Sequence, residues 1–87
     1  MHSVYVIQHS TTSEIYIGKT SNLKRRLGEH NNQQQTATVR KTGEWILIYA
    51  EIYRAKKDAD IREAKLKQHG SNKKWLLDRI RYSKHKD

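Results

Sequence analysis

This sequence predicts an α/β (α+β) fold: a small, largely antiparallel three-stranded sheet flanked by three helices, in the order β-β-α-β-α-α. Three observations predict it. A β-branched run occupies residues 4–8, a second β-run follows at 15–17, and the longest apolar run of the chain spans 44–53. The segments after the second and third runs are polar with apolar residues four apart, the spacing of helices rather than strands. At 87 residues the chain reads as one domain, 1–87. A domain of that size buries only about two-thirds of the surface its unfolded chain exposes. With 34% hydrophobic residues and no Phe, its core has to be thin, and the absence of Cys excludes disulfides and thiolate metal sites.

Taking the elements in order, the Val4-Tyr5-Val6-Ile7-Gln8 run predicts a buried strand. Residues 9–13 are polar and turn-forming, so the first two β-runs pair as an antiparallel hairpin, the second breaking at Gly18. Such a hairpin brings Tyr5 and Tyr16 to one region of the sheet, on a shared face or not according to a register that is open at this level. Thr20, Ser21 and Asn22 are candidate N-caps for a helix over residues 23–30, with Leu23 and Leu27 as its apolar stripe. Residues 31–43 read as a polar loop. The third strand is expected over 44–53, at least partly covered on both faces, with Trp45 in packing. A second helix is expected over 57–69, stopped by Gly70. Ala59, Glu63 and Leu66 fall on one side of it, while Ile61 lies nearly opposite. Ser71 is the candidate cap of a last helix over 72–83, whose apolar contacts come from Trp75, Leu76 and Ile80.

The formal charge of +9 and pI near 10.0 are the electrostatic footprint of a polyanion binder. Solubility alone would account for as much Lys and Arg. No basic helix carries a broad apolar face, and no window approaches the roughly 20 apolar residues of a membrane span, so no membrane partner is expected. No signal peptide is visible, and a cytoplasmic protein is the expectation.

Residues 15–31 are the stretch most charged with chemistry. Lys19 follows the strand, and Arg26 and His30, four apart, share a face of the next helix. Several cationic donors in one small space suit phosphate. Arg40 and Lys41, in the polar loop, and Lys73 and Lys74, on the last helix, are further candidate contacts to a nucleic-acid backbone. Glu63 is an acid on an apolar stripe and needs a partner there.

Tyr16-Ile17-Gly18, preceded by Ser3-Val4-Tyr5 and followed by Lys19, Arg26, His30 and Glu63, resembles the signature of the GIY-YIG nuclease family. Ser3 stands where the signature has Gly. The similarity runs over nearly the whole chain and looks closest to small stand-alone members and to the N-terminal domain of the UvrC repair subunit. It implies a metal-dependent endonuclease acting on DNA, in repair or recombination. Glu63 would hold Mg²⁺ or Mn²⁺, Tyr16 would be the base, Tyr5 a positioning hydroxyl, and Asn72 the asparagine that closes the family site.

The chemistry is self-consistent. Hydrolysing a phosphodiester requires a nucleophilic water, a base, cations at the phosphate and help for the departing 3′ oxygen. Arg26 offers a fixed fork of donors and Lys19 a point charge. Magnesium keeps several waters, so one carboxylate suffices. A tyrosine of ordinary pKa near 10 is a poor base, and neighbouring cations are expected to lower it. His30 titrates near neutrality and can serve as base or donor. The rival reading is a non-catalytic nucleic-acid-binding module of the same fold, which binds in a salt-sensitive way and cuts nothing. A third is a domain that relies on a partner protein for substrate recognition. The sequence is silent on oligomeric state.

Overall fold

The computed structural model describes residues 1–36, 43–68 and 70–84. Its elements follow the expected order: β1 (His2–His9), β2 (Ile15–Thr20), α1 (Leu23–Thr36), β3 (Trp45–Tyr53), α2 (Lys56–Gln68) and α3 (Gly70–Arg79). The strands make one antiparallel sheet ordered β2-β1-β3. The β-branched run is therefore the central strand, and every residue from Ser3 to His9 is buried.

Strand pairing settles the register question. Tyr5 lies opposite Gly18 and Ile7 opposite Tyr16, so both tyrosines leave the same face of the sheet. Val4, Val6 and Ile17 point to the other face, where Ala59 and Leu66 of α2, Leu76 of α3 and Ile80 complete the core. The thin core expected from composition is this single layer of apolar side chains. α1 covers the tyrosine face, through His30 stacked edge-on to Tyr5 and through Asn31.

Several boundaries differ from the sequence expectation for identifiable reasons. β2 does not break at Gly18 but runs on to Thr20. The glycine is needed for close approach: a Cβ there would sit 2.5 Å from the Tyr5 phenol oxygen and 2.7 Å from its Cζ. Of the three candidate caps, Asn22 does the work, its Oδ1 accepting the Arg25 N–H at 3.1 Å. α1 then continues past His30 to Thr36, so residues 31–36 are helical. Asn31 explains part of this, because its side chain accepts the Trp45 N–H at 2.8 Å and donates to the Trp45 carbonyl at 3.4 Å, tying the helix to β3. The glutamine run that follows has good helix propensity but no apolar periodicity, which hid it.

Gly70 opens α3 instead of stopping α2, and α3 ends at Arg79, with a turn closed by Ser83 N–H donating to the Ile80 carbonyl at 2.7 Å. Leu76 and Ile80 pack into the core as expected, but Trp75 does not: it is 73% exposed. Ile61, nearly opposite the Ala59–Leu66 stripe, is also exposed. β3 is an edge strand, half-buried along most of its length, with Leu47 and Ile52 exposed.

β3 and α2 are joined by a polar cluster on the core side of the sheet. Glu51 accepts Nε of Arg62 at 2.9 Å and Nη2 at 3.0 Å, accepts the Tyr49 hydroxyl at 2.6 Å, and accepts that of Tyr53 as well. Every carboxylate lone pair so used offsets the cost of burying the charge.

Candidate active site

The two tyrosines form the floor of the site. Tyr5 is 1% exposed, its ring 6.3 Å from that of Tyr16, which stands half-open at the β2 edge. His30, carried over the sheet by α1, stacks edge-on against Tyr16 at 4.8 Å and brings its Nε2 to 2.9 Å from the Tyr5 oxygen. One helical turn earlier, Arg26 lies close enough to both phenols for each to favour its charged form, and it is held from behind by Glu29 Oε1 at 3.0 Å. The i, i+4 spacing of Arg26 and His30 thus places a guanidinium and an imidazole over the same pair of rings.

Electrostatics follow from this packing. Burial pushes the Tyr5 phenol up from its ordinary value, with Tyr16 and Glu63 adding to the rise and only Arg26 opposing it. At Tyr5 the desolvation of a phenolate outweighs the one guanidinium beside it. Burial and the Arg26 charge hold His30 below its ordinary value, so its imidazole is neutral at pH 7. The phenols and Glu29 raise Arg26 further, keeping it a permanent cation. The Tyr5 hydroxyl and His30 Nε2 share one hydrogen bond, whose direction follows the tautomer of the imidazole.

Glu63, on α2, reaches this assembly through Lys67. It is 17% exposed in its side chain, its charge is felt at both Tyr5 and Lys19, and it pairs with Lys67 at 3.1 Å. Lys67 in turn lies 5.7 Å from the centroid of the Tyr16 ring. β2 is an edge strand, and at that open edge α2 side chains meet the tyrosine face. Lys67 and Lys73 line an open recess beside Tyr16, with Ile15, Ile17 and Leu66.

Other sequence candidates are placed differently. Lys19 pairs with Val4 in the ladder, hence leaves the α2 face, and is bound to Asp60, which Lys56 also holds at 2.9 Å. Asn72 donates to the Lys65 carbonyl at 3.3 Å and faces Trp75 and Arg79 rather than the phenols. Lys74 is exposed on α3. Arg40 and Lys41 lie outside the described residues. Sequence reasoning missed Lys67, although its i+4 offset from Glu63 was the signal. It missed the Glu51 cluster too, which the alternation Tyr49-x-Glu51-x-Tyr53 on one strand face announces.

Among the described residues no three His, Cys, Asp or Glu side chains stand close enough to cage a metal. The donor set at Glu63 is one carboxylate, paired with Lys67. That suits a hard, oxygen-seeking dication that keeps most of its waters, and not zinc with its three or four protein ligands.

Three comparisons bear on what this arrangement is. A UPF0213 protein of Clostridium perfringens is 34% identical over 77 residues, covering 88% of this chain and 82% of that protein. The solution NMR structure of a UPF0213 protein from Bacillus halodurans superposes with a TM-score of 0.56 at 24% identity, covering 91% of this chain and 83% of the other, and so shares the fold. The model of the GIY-YIG catalytic domain matches residues 1–75, which include Tyr5, Tyr16, Gly18, Arg26, His30 and Glu63. The chain therefore belongs to the GIY-YIG family, a nuclease superfamily whose substrates are nucleic acids.

Proposed function

We propose that the chain is an endonuclease that hydrolyses DNA phosphodiester bonds with the help of Mg²⁺ or Mn²⁺. The observation that carries this reading is the gathering of Tyr5, Tyr16, Arg26 and His30 on one face of the sheet, with Glu63 linked to Tyr16 through Lys67 at the β2 edge.

Arg26, a permanent cation beside both phenols, binds a non-bridging phosphate oxygen and stabilises the charge that grows there. The attacking water hydrogen-bonds to the Tyr5 oxygen. As it attacks, Tyr5 takes its proton and passes its own to neutral His30 Nε2, 2.9 Å away. This relay removes the need for a standing phenolate, which the raised Tyr5 pKa makes scarce. Tyr16, half-exposed, orients the phosphate or the water. Glu63 would hold the dication, which when bound neutralises charge at the phosphate and the departing 3′ oxygen. Lys67 and Lys73, which line the recess at Tyr16, would face the substrate backbone. A role in repair or recombination suits an enzyme of this size with a shallow, open site.

The test is cleavage of linear, nicked, flapped and branched DNA by the purified protein with Mg²⁺, with Mn²⁺ and with chelator. Metal-dependent cutting is expected. Salt-sensitive binding with no cutting in any metal would favour the binding-module reading instead.

A further inference from the structure

Trp75 is the most conspicuous side chain that the proposed reaction does not use. It stands 73% exposed on α3, flanked in sequence by Leu76, which is buried in the core. Leaving an indole in water forgoes the burial of a large apolar surface, so its position asks for an occupant. The recess beside it, about 220 Å³, is lined by Arg62, Asn72, Trp75, Leu76 and Arg79, with no acidic side chain among them.

The chemistry of that lining is selective. Arg62 is fixed in place by its two-pronged bond to Glu51, and so meets a ligand without first losing its freedom. Arg79 brings a second guanidinium and Asn72 an amide. Lys74, the residue before Trp75, is exposed and basic. A flat aromatic face among cationic donors matches a nucleobase with its phosphodiester. It does not match an apolar protein surface, since the surroundings are charged. Nor does it match a duplex, whose base faces are stacked inside the helix. The recess is also next to the proposed reaction centre: Asn72 lines it, while the adjacent Lys73 lines the recess at Tyr16. The first turn of α3 is all that separates them.

Building on the nuclease reading, we propose that Trp75, with Arg62 and Arg79, is a stacking subsite for an unpaired base. The substrate class is then nucleic acid with a single-stranded segment beside the bond to be cut. A strand leaving the Tyr16 recess crosses Lys73 and lays a base on the indole. Because the contact is to a base face, it is tolerant of sequence.

The test is fluorescence anisotropy in chelator with three labelled probes of about 12 nucleotides, within the span of such sites: oligothymidine, oligouridine and a DNA duplex. Trp75→Ala is expected to weaken single-strand binding about tenfold and leave the duplex within about twofold, with Trp75→Phe recovering most of the loss. Arg79→Ala is expected to weaken all three probes and flatten the salt dependence. A loss confined to oligothymidine assigns the base to DNA, and one confined to oligouridine to RNA. Equal loss on duplex and single strand, or no loss on either single strand, overturns the subsite while leaving the nuclease reading intact. So does a wild-type dimer that Trp75→Ala disperses in sedimentation, because the indole then faces a second copy. Wild-type protein that binds none of the probes overturns the nucleic-acid reading itself, and the subsite with it.

Discussion

The phenol oxygen of Tyr5 and Nε2 of His30 lie 2.9 Å apart across 25 residues of sequence, one on the central strand and one on α1. The contact joins a phenol whose pKa is raised to an imidazole whose pKa is lowered, so both partners are neutral at pH 7. The contact is therefore a hydrogen bond between two uncharged groups, not an ion pair, and the proposed reaction uses it as its proton path.

That path predicts matched losses. Tyr5→Phe removes the proton carrier, and His30→Gln keeps a hydrogen-bond acceptor but removes the nitrogen that can take up a proton. Each is expected to slow cleavage by about 10²–10⁴-fold and to leave DNA affinity within about twofold of wild type. Single-turnover cleavage beside anisotropy separates the two effects. A His30→Gln enzyme with near wild-type rate would show that the proton goes elsewhere.

Protonation of His30 sets a pH dependence whose sign is fixed by its direction of shift. The folded state holds His30 below its ordinary value of 6.5. Unfolding therefore takes up a proton in the window between the depressed value and 6.5. Stability is complete above 6.5 and is lost as the pH falls through that window. Thermal midpoints measured from pH 8 to pH 5 should decline in acid for wild type and less steeply for His30→Gln. Parallel curves would contradict the assignment.

Gly18 is predicted to resist even the smallest side chain. Its Cβ would meet the Tyr5 oxygen at 2.5 Å and Tyr16 Cε1 at 2.9 Å. Gly18→Ala should cost about 1–3 kcal/mol as overpacking, lowering the melting temperature by several degrees or more in a domain of this size. It should also displace Tyr5 from His30 and reduce cleavage beyond the stability loss. Calorimetry with activity measured well below the melting point checks both.

Removing the Glu51 carboxylate leaves Arg62 without its partner and two tyrosine hydroxyls without their acceptor. Glu51→Ala is expected to cost about 1.5–3 kcal/mol in urea denaturation, the range for hydrogen bonds to a charged group. A double cycle with Arg62→Ala should show strong coupling, since the pair is one unit.

The architecture was largely legible because each strand announced itself by β-branched content and each helix by four-residue spacing. Tyr5, Tyr16, Arg26 and His30 were named together from the motif and its offsets, and the fold brings those four side chains together. What escaped was long-range or local compensation. The extension of α1 to Thr36 depends partly on Asn31 reaching Trp45, a contact across the fold that no window of sequence contains. Lys19 shares the motif with Gly18 yet points to the opposite face, because strand alternation outranks proximity in sequence. Trp75 was read as core from its composition class, and only the packing of Leu76 and Ile80 fixes which side of α3 faces inward.

The most direct test of the account is Glu63→Gln, which keeps the shape of the side chain and removes its charge. Isothermal titration with Mn²⁺ and single-turnover cleavage in Mn²⁺ should be run on the same preparation, alongside Lys67→Met. The account predicts that Glu63→Gln loses both cation binding and cutting while still binding DNA, and that Lys67→Met, freed of a competing ammonium, binds the cation more tightly. Undiminished Mn²⁺ binding and cleavage by Glu63→Gln would contradict it.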